Sequence, residues 1–122
     1  MKRNAEQIKL YVNALQVGDA VLTEHGYKRV EEGFTVEGAA IKTEDGEPII
    51  HKYTSGEYLI PVAMDNEVRE GDRLLDLNSR YSAYGEVYKV KKKRRDLYYE
   101  KGGREVKVRW IKSSSMVLIP KF

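Results

Sequence analysis

The stretch from Tyr84 to Ile111 constrains the fold most, because its second half alternates between apolar and charged residues. Val106, Val108 and Trp110 fall on one side of this alternation, which is typical of a strand with one buried face. The pair Gly102-Gly103 precedes the strand, and two glycines supply the positive φ angles that a tight hairpin turn requires. We therefore predict a hairpin whose base is packed, with Trp110 on the packed face.

The first arm of this hairpin, residues 89–95, is strongly basic. Six of its seven residues are cations and none is acidic. Because an unpaired charge is very costly to bury, a strand with cations on both faces cannot lie in a core. We predict that this arm projects in part into solvent, and we call it the basic limb. Its cations are Lys89, Lys91, Lys92, Lys93, Arg94 and Arg95.

Composition limits the protein to a small globular class. The chain has 122 residues, which is room for one domain or two very small ones. Charged residues make up 34% and hydrophobic residues 41%, as in folded rather than disordered chains. Cysteine is absent, which excludes disulfides and thiolate metal sites and fits a cytoplasmic protein. No apolar run approaches the ~20 residues of a membrane span, so we expect no membrane partner.

One helix is predicted over residues 4–15. Asn4 is a suitable N-cap and Gln7 follows three residues later, which is the capping-box arrangement. Apolar residues then recur at the spacing of a single helix face. This face either covers an open end of the β structure or docks on a neighbouring subunit. Its residues are Ile8, Tyr11, Val12 and Leu15.

From Gly18 onward the sequence predicts short strands separated by turns. Asp45-Gly46 is the centre of one hairpin turn, and Pro61 places the strand that contains it at an edge or a terminus. The predicted fold class is mainly β: one or two small SH3-like barrels, in tandem or as pseudo-twofold halves, with one N-terminal α-helix. The predicted strands are residues 20–23, 27–36, 39–43, 49–53, 57–63, 73–77 and 116–119.

The sequence contains a weak internal repeat. Residues 17–22 resemble residues 70–75, each with a Gly-Asp step before an apolar strand, and the two steps lie 53 residues apart. Residues 58–61 and 117–120 each form an apolar strand that ends in proline. Two related β units would produce this pattern, although both features also occur by chance. We predict an N-terminal helix at 1–17, a first β unit at 18–64 and a second at 65–122, either separate or joined in one domain.

The residue types that usually carry catalysis or bind metal form no site in this sequence. His25 and His51 are too few for a zinc site without cysteine. The run Ser113-Ser114-Ser115 has no histidine or acid near it in the sequence. The Gly102-Gly103 turn lacks the strand–loop–helix setting of a phosphate-binding loop. We therefore expect no catalytic residue, no metal, no cofactor and no enzymatic activity.

Tyrosines accompany the basic limb and extend its predicted contact surface. Cations neutralise phosphates and release counterions, and aromatic rings stack on bases, so we predict contact with nucleic acid or a protein partner here. There are two alternatives. The cations could keep an edge strand from aggregating, or the limb could meet the acidic stretch 44–57 of the next subunit in a ring. The predicted contact tyrosines are Tyr84, Tyr88 and Tyr98.

The second half of the chain resembles phage head–tail joining proteins of the stopper or adaptor kind. The resemblance rests on Gly71-Asp72-Arg73-Leu74-Leu75, on the stretch from Tyr84 to Val90, and on the glycine turn and the strand that follows it. It covers residues 58–119. Such proteins are small non-enzymatic β-barrels that form rings around the DNA exit channel. The N-terminal helix and the long insert between Leu77 and Tyr84 depart from the family pattern.

Two further resemblances involve some of the same residues. The Gly-Asp step at Gly71-Asp72 and the strand at Gly85-Glu86-Val87 are similar to SH3-like modules of the KOW and Tudor kind, which implies a barrel that binds nucleic acid or peptides. Gly18-Asp19 and Thr43-Glu44-Asp45-Gly46 look like fragments of the self-splicing Hint fold. The chain lacks the nucleophile and the terminal His-Asn of that fold, so cleavage is not expected.

These observations give two expected functions. The first is a non-enzymatic assembly protein that resembles a phage head–tail connector, with itself or other assembly proteins as partners and a basic face toward DNA. It would reside in the host cytoplasm or the virion. The second is a stand-alone nucleic-acid-binding barrel. Both use the basic limb and its tyrosines.

Overall fold

Strands dominate the part of the chain that the structure describes. The computed structural model describes residues 3–23, 26–30, 36–37, 40–41, 53, 55–56, 58–80, 82–111 and 115–122. One α-helix lies near the N-terminus and short antiparallel strands follow it, so the predicted mainly β fold is confirmed. The chain divides into two compact units, one of residues 1–60 with Phe122 and the other of residues 61–121.

The first unit begins with helix α1, Ala5–Ala14. The Oδ1 atom of Asn4 accepts a hydrogen bond from the Gln7 N–H at 2.8 Å, and the Gln7 Oε1 atom accepts one from the Asn4 N–H at 3.1 Å. This reciprocal pair is the predicted capping box, and it satisfies backbone donors that the first helical turn leaves free. The predicted apolar face is also confirmed, because Ile8, Tyr11 and Val12 are buried.

A three-stranded antiparallel sheet follows the helix in the first unit. Strand β1, Ala20–Thr23, lies between β2, Gly26–Arg29, and β5, Tyr58–Leu59. A short hairpin of β3, Val36–Glu37, and β4, Ala40–Ile41, forms a separate sheet. The predicted turn at 44–47 and nearly all of the predicted strand 49–53 lie outside the described residues.

The second unit consists of two three-stranded antiparallel sheets. The strands are β6 (Arg73–Asp76), β7 (Val87–Lys89), β8 (Lys91–Lys93), β9 (Asp96–Lys101), β10 (Arg104–Lys107) and β11 (Met116–Ile119). In one sheet the order is β11–β6–β7, and in the other it is β10–β9–β8. A 3-10 turn, Val108–Trp110, follows β10.

The two sheets of the second unit share one run of chain. Strand β7 pairs with β6, and after Val90 the chain continues as β8, which pairs with β9. Val90 is hydrogen-bonded to the residue that precedes β6, because its N–H donates to the Asp72 carbonyl at 2.8 Å. One run of chain thus takes part in both sheets of the second unit. The core of this unit contains Leu74, Tyr88, Val90, Tyr99, Val108 and Leu118, among others.

The first copy of the predicted repeat starts with a turn at Gly18-Asp19. Gly18 has a φ of 94°, which favours glycine. The buried Asp19 carboxylate accepts a hydrogen bond from the Gln16 N–H at 2.6 Å. The Gly18 N–H donates to the Val30 carbonyl at 2.8 Å, and the Val30 N–H donates to the Asp19 carbonyl at 2.8 Å. The aspartate thus closes the turn, and Val30 joins the end of β2 to it.

The second copy repeats these bonds one by one. Gly71 has a φ of 91°, and the buried Asp72 carboxylate accepts from the Arg69 N–H at 2.9 Å. The Gly71 N–H donates to the Val90 carbonyl at 3.0 Å. The strand order β7–β6–β11 also matches β2–β1–β5, so in each unit the first strand pairs with the last. The described residues therefore confirm the predicted repeat.

Candidate functional site

Most of the basic limb forms strand β8 and a tight turn at the end of a second hairpin. Lys93 pairs with Asp96, which leaves Arg94 and Arg95 as the two turn residues. The predicted pairing of the limb with the strand after Gly102-Gly103 is therefore wrong, since β9 lies between them. The glycine turn itself is confirmed, and it joins β9 to β10 with positive φ angles at both glycines.

The β8–β9 turn holds a side chain in an unfavourable backbone conformation. Arg94 has a φ of 58°, and no other non-glycine residue that the structure describes has a positive φ. In this region the Cβ atom of an L-residue crowds the backbone, so glycine or asparagine is the usual choice. Strained positions of this kind concentrate where the side chain has a function.

The β8–β9–β10 sheet has an outer and an inner face. Lys91 lies opposite Tyr98, which lies opposite Lys107, so these three residues form one row across the outer face. Side chains alternate between faces along a strand. The neighbouring residues Leu97 and Tyr99 therefore belong to the inner face, which packs on the core of the second unit.

The outer face contains a groove of about 470 Å³. Trp110 lies at this groove and is 59% exposed, so the prediction that it packs against the core is wrong. The strand ends at Lys107, and in the 3-10 turn that follows, residues two apart no longer share a face. Val108 is accordingly 2% exposed, whereas Trp110 points away from the core. The groove is lined by Lys93, Arg94, Asp96, Tyr98, Glu105, Lys107 and Trp110.

Both acids of the groove are paired with its own lysines. Lys93 Nζ lies 3.5 Å from Glu105 Oε1, and Lys107 Nζ lies 3.6 Å from Asp96 Oδ2. These four side chains are substantially exposed, so each ion pair contributes little to stability. They do compensate one another's charge, so further cations determine the net charge of the surface.

Four exposed cations of β8 and its turn have no acidic partner among the residues that the structure describes. They are Lys91, Lys92, Arg94 and Arg95. Lys91 belongs to the outer face with Tyr98, whereas Lys92 lies opposite Leu97 and therefore on the other side of the sheet. Cations also lie beside the exposed indole. Lys107 Nζ is 5.6 Å and the Arg109 guanidinium carbon 5.8 Å from the centre of the Trp110 ring. The result is an aromatic surface within a positively charged field.

The remaining predicted contact residues lie elsewhere. Tyr88 is 6% exposed, and its hydroxyl donates to Glu86 Oε2 at 3.0 Å. Burial and this hydrogen bond raise the pKa of the Tyr88 hydroxyl well above its usual range. Tyr88 thus belongs to the core and is withdrawn from the contact surface. Lys89 is exposed on β7 and Tyr84 is half-buried in the loop before it, and neither lines the groove.

Sequence reasoning missed Trp110 as a surface residue. Apolar and charged residues alternate without a break from residue 105 to residue 110. A prediction based on this two-residue period alone therefore places the end of the strand beyond Lys107, where it actually ends. The sequence does contain one indication that Trp110 is exposed. Cations lie close to it in the sequence, at positions 107 and 109, and such neighbours are also compatible with a ring at the surface.

The described residues contain no cluster of three or more His, Asp or Glu side chains that could hold a metal ion. His25, His51 and residues 112–114 lie outside them. No described helix has the length and apolar character needed to cross a bilayer. Comparison of the chain with protein-family models, with curated proteins and with solved structures finds no match in any of the three.

Proposed function

We propose that this protein is a non-enzymatic binding protein that contacts nucleic acid through the outer face of the β8–β9–β10 sheet. The observation that supports this most is a group of exposed cations beside the aromatic groove, Lys91, Arg94 and Arg95, which form no ion pair with a residue that the structure describes. Phosphates supply the missing negative charge, and displaced counterions add a favourable entropy. Tyr98 and Trp110 offer ring surfaces on which bases can stack.

Protection of an edge strand explains only part of this surface. Strand β8 is at the edge of its sheet, and lysines there hinder pairing with other chains. Edge protection does not require a large exposed aromatic ring, because an exposed indole increases the tendency to associate. A binding surface accounts for both the cations and Trp110.

The distribution of charge along the chain favours the same surface. Residues 61–121 contain fifteen Lys and Arg against nine Asp and Glu, whereas residues 1–60 contain seven against ten. The second unit is therefore net basic and the first net acidic. A polyanion is attracted to the unit that carries the groove.

The same asymmetry supports a second candidate, assembly of copies into a ring in the manner of a phage head–tail connector. An acidic unit and a basic unit in one chain are complementary between copies arranged head to tail. The resemblance at Gly71-Asp72-Arg73-Leu74-Leu75 points the same way. Light scattering separates the two candidates, since a ring of several subunits supports assembly and a monomer that binds nucleic acid supports the first candidate.

A matched pair of double variants tests the first candidate. Lys91→Glu with Arg94→Glu reverses two cations of the outer face, whereas Lys28→Glu with Arg29→Glu reverses an exposed lysine and arginine on β2. We expect the first to weaken binding of an oligonucleotide at low salt by about tenfold or more, and the second by about twofold or less. Equal losses would show that net charge, rather than this surface, attracts the ligand. Circular dichroism checks that both variants fold.

A further inference from the structure

We propose that the ligand of the outer face is single-stranded nucleic acid, and that one of its bases stacks on the Trp110 ring in the groove. This inference rests on the proposed function and specifies which form of nucleic acid the surface binds. It is derived from the exposed indole, the shape of the groove and the position of its charges.

The exposed ring favours an unpaired base. In a duplex each base face is covered by its neighbours, so an indole can contact base edges and backbone but not a free face. Recognition of single strands commonly uses aromatic rings on which splayed bases stack. Trp110 is 59% exposed within a groove, and Tyr98 lines the same groove.

The size of the groove fits one base with room for its sugar. A volume of about 470 Å³ exceeds what a single base occupies, and the groove is partly open to solvent. A continuous strand can therefore pass through it, with one base inserted and its neighbours outside. No enclosed channel has to open first.

The charges of the groove fit the polar parts of a nucleotide. The carboxylates of Asp96 and Glu105 line the groove, and they can accept hydrogen bonds from the N–H donors of a base, such as N3–H of thymine. A phosphate can bind Lys93 or Lys107 where each now pairs with one of these acids, and the carboxylate so released turns to the base. Base and phosphate thus replace a weak surface ion pair.

The remaining cations mark a path for the backbone. Lys91 lies in the row with Tyr98, and Arg94 and Arg95 form the turn at the end of the same hairpin. Phosphates on one side of the stacked base can follow this line of positive charge. The unfavourable φ of Arg94 is consistent with a side chain that is retained for binding.

The chain has a single tryptophan, so tryptophan fluorescence, excited selectively over that of the nine tyrosines, reports on this groove alone. The probes are a short oligothymidylate, a duplex of the same length and inorganic polyphosphate. We expect oligothymidylate to quench Trp110 and to bind on the order of tenfold tighter than the duplex, because stacking needs a free base face. Polyphosphate should bind through the cations with little quenching.

The variants Trp110→Ala and Trp110→Phe complete the test. These variants lack the fluorophore, so their affinities are measured with a fluorescently labelled oligothymidylate, and polyphosphate binding is measured by competition. Trp110→Ala should lose on the order of tenfold in affinity for oligothymidylate with no change for polyphosphate, and Trp110→Phe should recover part of that loss. Equal affinity for duplex and single strand, or no effect of Trp110→Ala, would overturn the stacking proposal while leaving the proposed function intact. Failure of all three probes to bind at low salt would overturn both.

Discussion

The Lys107 ammonium group lies 5.6 Å from the centre of the Trp110 ring, at the point where strand β10 gives way to a 3-10 turn. This change in backbone geometry separates two residues that the sequence pattern places together. Val108 enters the core and Trp110 joins the cations of the outer face. One turn of 3-10 helix thus converts the end of a core strand into part of a candidate binding surface.

Truncation of Trp110 should hardly affect stability. We expect Trp110→Ala to change the free energy of unfolding by about 0.5 kcal/mol or less, because an exposed side chain loses few contacts. Val108→Ala, two residues earlier, should cost about 1.5–3 kcal/mol, since it removes buried methyl groups and leaves a cavity. Urea denaturation measures both. Similar losses would mean that the indole packs against the core after all.

Glycine at position 94 should stabilise the protein while weakening its binding. Arg94 has a φ of 58°, which glycine adopts without steric cost, so we expect Arg94→Gly to gain about 0.5–1 kcal/mol. Arg95→Gly is the matched control, since position 95 has no positive φ, and it should not stabilise. Thermal denaturation gives the stabilities, and oligonucleotide binding should fall in both variants. A destabilised Arg94→Gly variant would contradict this account of the turn.

The repeated Gly-Asp turn should depend on its carboxylate. In the second unit Asp72 Oδ2 accepts from the Arg69 N–H and Oδ1 from the Lys121 N–H, both at 2.9 Å. Asp72→Ala leaves these two backbone donors without a partner, and we expect a cost of about 1–3 kcal/mol. Asp65→Ala, at an exposed position, should stay within about 0.5 kcal/mol. Comparable effects of the two substitutions in urea denaturation would refute a structural role for Asp72.

Alkaline pH should destabilise the fold through its buried tyrosines. Burial raises the pKa of Tyr53, Tyr88 and Tyr99 above the ordinary value of 10.0. Above that pH the unfolded chain releases these protons and the folded chain keeps them, so the free energy of unfolding falls as pH rises. Below it both states are protonated and the contribution is fully present.

Urea denaturation at a series of pH values measures this effect. We expect stability to decline from about pH 10 upward, with tyrosinate absorbance appearing together with unfolding. Tyr88→Phe removes one of the three hydroxyls and should make the decline shallower. A wild-type stability that is flat across this range, or tyrosinate formation well before unfolding, would contradict the burial of these hydroxyls.

The sequence predicts well those features that arise from local rules. The capping box of Asn4 and Gln7, the glycine turn at 102–103 and the two Gly-Asp steps each need particular residue types at fixed spacing. The structure confirms all of them, because their hydrogen bonds lie within or next to the short segments that specify them.

The sequence does not reveal features that depend on tertiary context. The Arg94-Arg95 turn has neither glycine nor asparagine, so nothing local indicates that the basic limb reverses there. Trp110 is at the surface because β10 ends before it. The alternation of apolar and charged residues continues past that end, so the sequence pattern does not indicate where the strand stops. Tyrosine is a residue type that is common at contact surfaces. Tyr88 is nevertheless in the core, because the face of β7 that carries it packs with Tyr99.

The salt dependence of binding shows whether nucleic acid binds through the exposed cations of β8 and its turn. A fluorescently labelled oligothymidylate is titrated with the wild-type protein at several salt concentrations. With about four phosphates neutralised, the logarithm of the binding constant should fall with the logarithm of salt concentration with a slope of about −3. No binding at low salt, or binding that does not change with salt, would contradict the proposed function.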